Sequence, residues 1–144
     1  MKTELGDHSF SVIVPVFFNE ETIRPLYQRI KTVCSSLDDW ELIFVDDGSG
    51  DNSFREILDL VKTDDHVKGL RLSRNFGSFN ACLAGLNYSS GDCAAIISAD
   101  LQDPPEVLGQ LYEEWQKGFR VAVAVRDGRE DPALTSFFAN GFYW

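Results

Sequence analysis

The chain has 144 residues, 44% of them apolar, enough for one substantial core and too few for two ordinary domains. Its formal charge of -10, from 23 acidic against 13 basic residues, argues against a nucleic-acid partner, because phosphate backbones are bound by clustered Lys and Arg. Three widely spaced cysteines, Cys34, Cys82 and Cys93, form no Cys-x-x-Cys pair and have no adjacent histidine, so they read as buried, reduced thiols rather than a disulfide framework or zinc site.

Residues 1–9 carry Glu4 and Asp7, and the apolar run behind them at 12–18 is too short for a signal-peptide core. Nowhere does the sequence approach the roughly 20 apolar residues that span a bilayer. The expectation is a soluble, cytoplasmic piece, with any anchor at the inner face of the membrane lying beyond Trp144. Strand-like runs rich in β-branched and aromatic residues begin near Phe10, Trp40, Val67, Cys93 and Phe119, at intervals of roughly 27 residues. Several are continuous apolar stretches, as in strands covered on both faces of a parallel sheet. Between them, Ile23, Leu26, Tyr27, Ile30, Val33, Cys34 and Leu37 recur at helical spacing. A second helix is marked by Ile57, Leu58, Leu60 and Val61, and a fourth by Leu108, Leu111, Tyr112 and Trp115. The third, around 79–86, is rich in small residues and suited to close packing. This alternation predicts an α/β fold with an open, mostly parallel, doubly wound sheet. A polar run at 127–132 reads as a loop, and 133–144 as the opening of another helix cut short. The chain is thus expected to be a single domain over 1–144, truncated at its C-terminal end.

Doubly wound sheets bind ligands beyond the carboxyl ends of their strands, and the unusual residues gather there. Asn19 before Glu20, Glu21 and Thr22 has the form of a helix N-cap followed by acidic first-turn residues. The Asp46-Asp47-Gly48-Ser49-Gly50-Asp51 run reads either as a turn or as a pair of functional carboxylates, with Asp47 the candidate. An EF-hand loop is excluded, since the position that needs glycine holds Asn52 and the twelfth holds Leu58. Asp103-Pro104-Pro105-Glu106 has the signature of a helix start. Asp100 and Gln102, on the tight connection just before it, offer oxygens to one hard cation.

Four segments together resemble the family 2 glycosyltransferases of GT-A fold. They are Val14-Pro15-Val16-Phe17-Phe18-Asn19-Glu20-Glu21, Val45-Asp46-Asp47-Gly48-Ser49, Ser73-Arg74-Asn75-Phe76-Gly77 and Ala99-Asp100-Leu101-Gln102-Asp103-Pro104-Pro105-Glu106. The likeness runs from about Phe10 to Arg126 and is strongest to the branch that glycosylates polyprenyl phosphates, the bactoprenol glucosyltransferases and dolichol-phosphate mannose synthases. It implies that Pro15, Phe17, Glu20 and Asp47 hold the base and ribose of a nucleoside diphosphate sugar, and that Ser73, Arg74 and Asn75 line the same pocket. It also implies that Asp100 and Gln102 coordinate a Mg²⁺ or Mn²⁺ bridging the diphosphate. Asp100, Asp103 and Arg126 are the expected catalytic residues, Arg126 lying near the acceptor phosphate, where a guanidinium suits bidentate contact. Ser98 stands where many relatives carry another aspartate, and Phe17-Phe18 where many carry one tyrosine.

The chemistry expected is inverting transfer of a sugar, with UDP-glucose the leading donor, to a polyprenyl phosphate at the membrane. A hydroxyl acceptor needs a general base, and His8, in the leading tail, and His66, before a strand, read as surface residues. A phosphate acceptor is already anionic. Transfer to a saccharide hydroxyl and nucleotide binding without turnover remain the alternatives. A receiver module would place its acidic pair after the first strand and a lysine after the fifth, and a sugar nucleotidyltransferase would carry a basic Gly-rich loop after the first strand. Neither pattern is present.

Overall fold

The computed structural model describes residues 8–125. Strands β1 (Phe10–Val16), β2 (Trp40–Asp46), β3 (Val67–Arg71) and β4 (Cys93–Ile96) alternate with helices α1 (Ile23–Cys34), α2 (Ser53–Val61), α3 (Ser78–Tyr88) and α4 (Val107–Gln116). The sheet is parallel throughout, in the order β3-β2-β1-β4. Its in-register pairs include Phe10 with Trp40 and with Cys93, and Leu42 with Val67. Every residue of β2 is buried, including Glu41 and Asp46, and the apolar run at 42–45 is that of a strand covered on both faces.

Alternate strand residues feed two cores. Val12, Val14, Val16, Leu42 and Phe44 meet α1, α2 and α4 through Ile23, Leu26, Ile30, Ile57 and Leu108. Ile13, Ile43 and Val45 meet α3 through Ala81. Small residues let α3 lie close to the sheet, for a Cβ added at Gly85 would come within 2.5 Å of Ile13 Cγ2. Cys34 is buried, and burial pushes its thiol up to about 11, while Cys82 and Cys93 are only half-buried; all three are free thiols.

Two expected features differ. The run from Phe119 forms no fifth strand among the described residues. Residues 120–125 lie across an apolar cleft of about 720 Å³ from β4, with Val121, Val123 and Val125 exposed. β-Propensity is realised only against a partner; among the described residues β4 is an edge strand with its outer side free, but 120–125 lie across the cleft from it and form no ladder with it. Helix α4 starts at Val107 with Glu106 as its cap residue, not at Pro104 behind Asp103, because 104–108 turn through tighter i to i+3 bonds, Val107 N to Pro104 O and Leu108 N to Pro105 O.

The amino ends of the strands are pinned by a polar network far from the loops of interest. Buried Glu41 accepts hydrogen bonds from Ser11 Oγ at 2.6 Å and Ser90 N at 2.6 Å and pairs with Lys68. Burial works to raise its carboxyl, but the bonds from Lys68, Ser11 and Ser90 outweigh it and hold the group down at about 2. A carboxylate depressed on folding stabilises the fold above its ordinary range near 4.5 and loses that contribution as pH falls towards 2. Glu41→Gln is therefore expected to lower stability by about 1–3 kcal/mol at pH 7 and to cost much less at pH 2.5. Urea denaturation at both pH values measures the difference.

Candidate active site

In the strand order, the chain runs outward from β1 to β3 and then returns to the other side of β1 as β4, so direction reverses between β1 and β4. The carboxyl ends of those two strands flank the crevice where sheets of this kind receive ligands. The loops after all four strands converge on this edge.

The loop after β1 is tied to the turn after β2. Phe18 N donates to Ser49 Oγ at 3.0 Å, Asn19 N to Ser53 Oγ at 2.8 Å, and Asn52 N to Glu20 Oε2 at 2.8 Å. Phe18 is held at φ 55, an uncommon conformation for a bulky residue, and its ring meets that of Phe17 edge to face at 4.6 Å. Both rings are exposed, so either can present an apolar face to a planar ligand. Pro15 lies one residue before the end of β1, opposite Val45. Asn19 does not cap α1. The helix begins at Ile23 behind Thr22, while Asn19 Oδ1 accepts from Phe17 N at 2.9 Å. Glu20 therefore belongs to the site loop and not to a first helical turn.

The two aspartates after β2 differ in role. Asp46 is fully buried, with Oδ1 accepting from Ser49 N at 3.3 Å and Oδ2 3.3 Å from Arg71 Nε. Arg71 also donates to Ser49 O at 3.2 Å and lies over the Phe54 ring, so it braces the turn from the end of β3. Asp47, only 2% exposed, accepts from Phe76 N at 2.7 Å on Oδ1 and from Gly77 N at 2.9 Å on Oδ2. It thereby anchors the loop after β3. Each oxygen keeps a further lone pair, but the carboxylate is above all a tether. Ser73, Arg74 and Asn75 are exposed on that loop. The Arg74 guanidinium stacks on Phe76 at 4.6 Å, and Asn75 Oδ1 accepts from Gly77 N at 3.0 Å.

After β4, Asp100 and Gln102 are exposed and Asp103 is half-buried. Asp100 Oδ1 accepts from Gln102 N at 3.0 Å, an Asx turn across Leu101, which is held at φ 62. This turn is fastened to α1 twice. Thr22 Oγ1 donates to Ala99 O at 2.6 Å, and Arg29 grips Glu106 with two bonds of 3.0 and 2.6 Å. No group of three or more His, Cys, Asp or Glu among the described residues makes a closed metal cage. An exposed carboxylate beside an amide oxygen fits a hard cation whose remaining ligands are substrate phosphate and water, the usual arrangement for Mg²⁺. Arg126 lies outside the described residues. His8 and His66 precede β1 and β3, at the opposite edge of the sheet, and His66 stacks on Trp40 at 4.4 Å.

The residues after β1, β2 and β4 thus form one connected rim, with those after β3 joined to it through Asp47. Sequence reasoning missed Thr22, Ser49, Arg71 and the Arg29–Glu106 pair. Each acts through a partner distant in sequence, for which local pattern gives no signal.

The chain matches the family model described as glycosyl transferase family 2 over residues 11–140. It is 41% identical over 122 residues to a Bacillus subtilis glycosyltransferase, YkcC, covering 84% of this chain and 38% of the relative. It is 37% identical over 123 residues to the undecaprenyl-phosphate 4-deoxy-4-formamido-L-arabinose transferase of Salmonella choleraesuis, again covering 84% of this chain and 38% of the relative. The chain therefore spans less than half the length of these relatives. Among solved structures, the fold resembles the Pyrobaculum calidifontis mannosyltransferase PcManGT in complex with GDP-Man and Mn²⁺, with a TM-score of 0.64 and 20% identity over 72% of this chain and 31% of that one.

Proposed function

Since the chain belongs to the family 2 glycosyltransferases, we propose that it forms the donor half of an enzyme that moves a sugar, with inversion, from a nucleoside diphosphate sugar to a polyprenyl phosphate. UDP-glucose is the first donor to test. The observation that carries this reading is the placement of Asp100 and Gln102, both exposed, at the reversal point of the sheet, across the crevice from the Phe17–Glu20 loop.

In this reading the exposed Phe17 or Phe18 ring stacks on the base, with Pro15, Glu20 and Asp47 around the base and ribose. The loop of Ser73, Arg74 and Asn75 closes the nucleotide side, where Arg74 supplies a cation towards the diphosphate. Asp100 and Gln102 would hold a Mg²⁺ or Mn²⁺, which would supply Lewis-acid neutralisation of the leaving diphosphate. Asp103 borders the sugar end of the same turn, and Arg126 is assigned to the acceptor phosphate. A polyprenyl phosphate needs positioning and charge compensation rather than deprotonation. That suits an edge on which the described residues place no histidine, the commonest general base. The relative whose name specifies an undecaprenyl-phosphate acceptor supports the same class. Such an acceptor puts the working protein at the cytoplasmic face of a membrane.

Calorimetric titration with uridine and guanosine diphosphates, with and without Mn²⁺, tests the donor reading. Mn²⁺-dependent binding of one nucleotide is expected, and it names the base. If neither nucleotide binds with Mn²⁺, the donor-site reading fails. The acceptor is tested by following labelled sugar into undecaprenyl phosphate against an oligosaccharide, and exclusive labelling of the oligosaccharide would replace the phosphate acceptor.

A further inference from the structure

Thr22 occupies the N-cap position of α1, where a threonine hydroxyl ordinarily accepts a hydrogen bond from the first turn of its own helix, an interaction worth about 1 kcal/mol. Here it makes no such bond. The hydroxyl has a single proton, and Ala99 O at 2.6 Å is much the nearer acceptor, Asn19 O being 3.2 Å away. The hydroxyl oxygen caps no amide, and its proton goes to a carbonyl 77 residues distant in sequence.

The bonded carbonyl belongs to the peptide that links Ala99 to Asp100, so its direction sets where the Asp100 backbone emerges from the core. Ala99 is 2% exposed and Asp100 is exposed, so the bond lies at the point where the chain leaves the protein interior. Immediately beyond it Leu101 adopts φ 62, a conformation that persists only when its surroundings determine it. Thr22 also sits on the loop that carries Phe17 and Glu20. The hydroxyl therefore ties the aromatic side of the crevice directly to the peptide from which its carboxylate side emerges, while the Arg29–Glu106 pair holds the far end of the same turn.

We propose that Thr22 is a positioning residue that holds the Asp100 turn in register with the Phe17–Glu20 loop, so that a base on one side and a cation-bound diphosphate on the other are engaged together. This rests on the donor-site reading above. Its consequence is a division of labour in binding: contacts to the nucleoside survive loss of the hydroxyl, and the gain in affinity from the cation does not.

The test is calorimetry of the 144-residue chain with uridine diphosphate and with guanosine diphosphate, with and without Mn²⁺, on Thr22→Val and Thr22→Ser, with urea denaturation of each. For Thr22→Val, metal-free affinity is expected to change by no more than about twofold and the Mn²⁺ enhancement to fall about tenfold, in the range typical for groups that orient metal ligands. Thr22→Ser keeps the hydroxyl and is expected to retain the enhancement. If Thr22→Val keeps the full enhancement, or loses metal-free and Mn²⁺-dependent binding by the same factor along with its urea midpoint, the proposal is overturned. Absence of Mn²⁺-dependent binding in the unsubstituted chain overturns the donor-site reading itself, and the positioning role with it, and so is told apart from failure in the variant alone.

Discussion

Asp100→Ala is expected to remove the Mn²⁺-dependent part of nucleoside diphosphate binding, a loss of about 100-fold, while leaving the fold within about 1 kcal/mol of its original stability. Asp100 is exposed and its one described bond closes a local Asx turn, so truncation opens no cavity and strands no buried charge. Gln102 alone offers a neutral amide oxygen, too weak a donor to hold a divalent ion without a carboxylate beside it. Parallel titrations of the two chains with Mn²⁺ present check the affinity, and their urea midpoints check the fold. Equal binding by both chains would remove Asp100 from the site, whereas a large fall in the urea midpoint would make its role architectural. Gln102→Ala is expected to show a smaller loss in the same direction.

Much of this arrangement is legible before any coordinate is known, because it rests on local signals. The apolar run at 42–45 in β2 announces a strand covered on both faces, and the spacing of Ile23, Leu26, Tyr27, Ile30 and Cys34 fixes the buried stripe of α1. The rule that ligands gather at carboxyl strand ends then places Phe17, Glu20, Asp47, Asp100 and Gln102 on one edge. What escapes is set by partners that local pattern cannot see. The alternating valines at 121, 123 and 125 have the composition of a strand, yet they stay exposed across a cleft from the free edge of β4 and pair with nothing described. Asp46 and Asp47 look alike in sequence, yet one is bound to Arg71 and the other to two amides of the following loop. Neither Asn19 nor Thr22 caps α1 with its side chain: Asn19 Oδ1 accepts from the amide of Phe17 and Thr22 Oγ1 donates to the carbonyl of Ala99.

The turn that carries those aspartates leads to a second large expected effect. Gly48 has φ +76, and a Cβ there would lie 2.6 Å from Arg74 C and 2.8 Å from Asn75 N, both backbone atoms that cannot rotate away. Gly48→Ala therefore combines left-handed strain of about 1–2 kcal/mol with overpacking of about 1–3 kcal/mol. Relief requires residues 73–77 to move off the turn, which would break the bonds from Phe76 and Gly77 to Asp47. A stability loss of about 2–4 kcal/mol is expected, together with weaker nucleotide binding both with and without Mn²⁺. Two neighbouring substitutions separate the causes. Gly77→Ala carries the positive φ with nothing within 4 Å of its Cβ, and so isolates the strain. Gly50→Ala meets only the Phe18 ring edge at 3.4 Å and is expected to be nearly neutral. Urea denaturation of the three variants should rank them Gly48, Gly77, Gly50 from most to least destabilised. A Gly48→Ala chain as stable as Gly50→Ala would mean that the loop after β3 is not seated on this turn, and Asp47 would then be free to face a ligand with both oxygens.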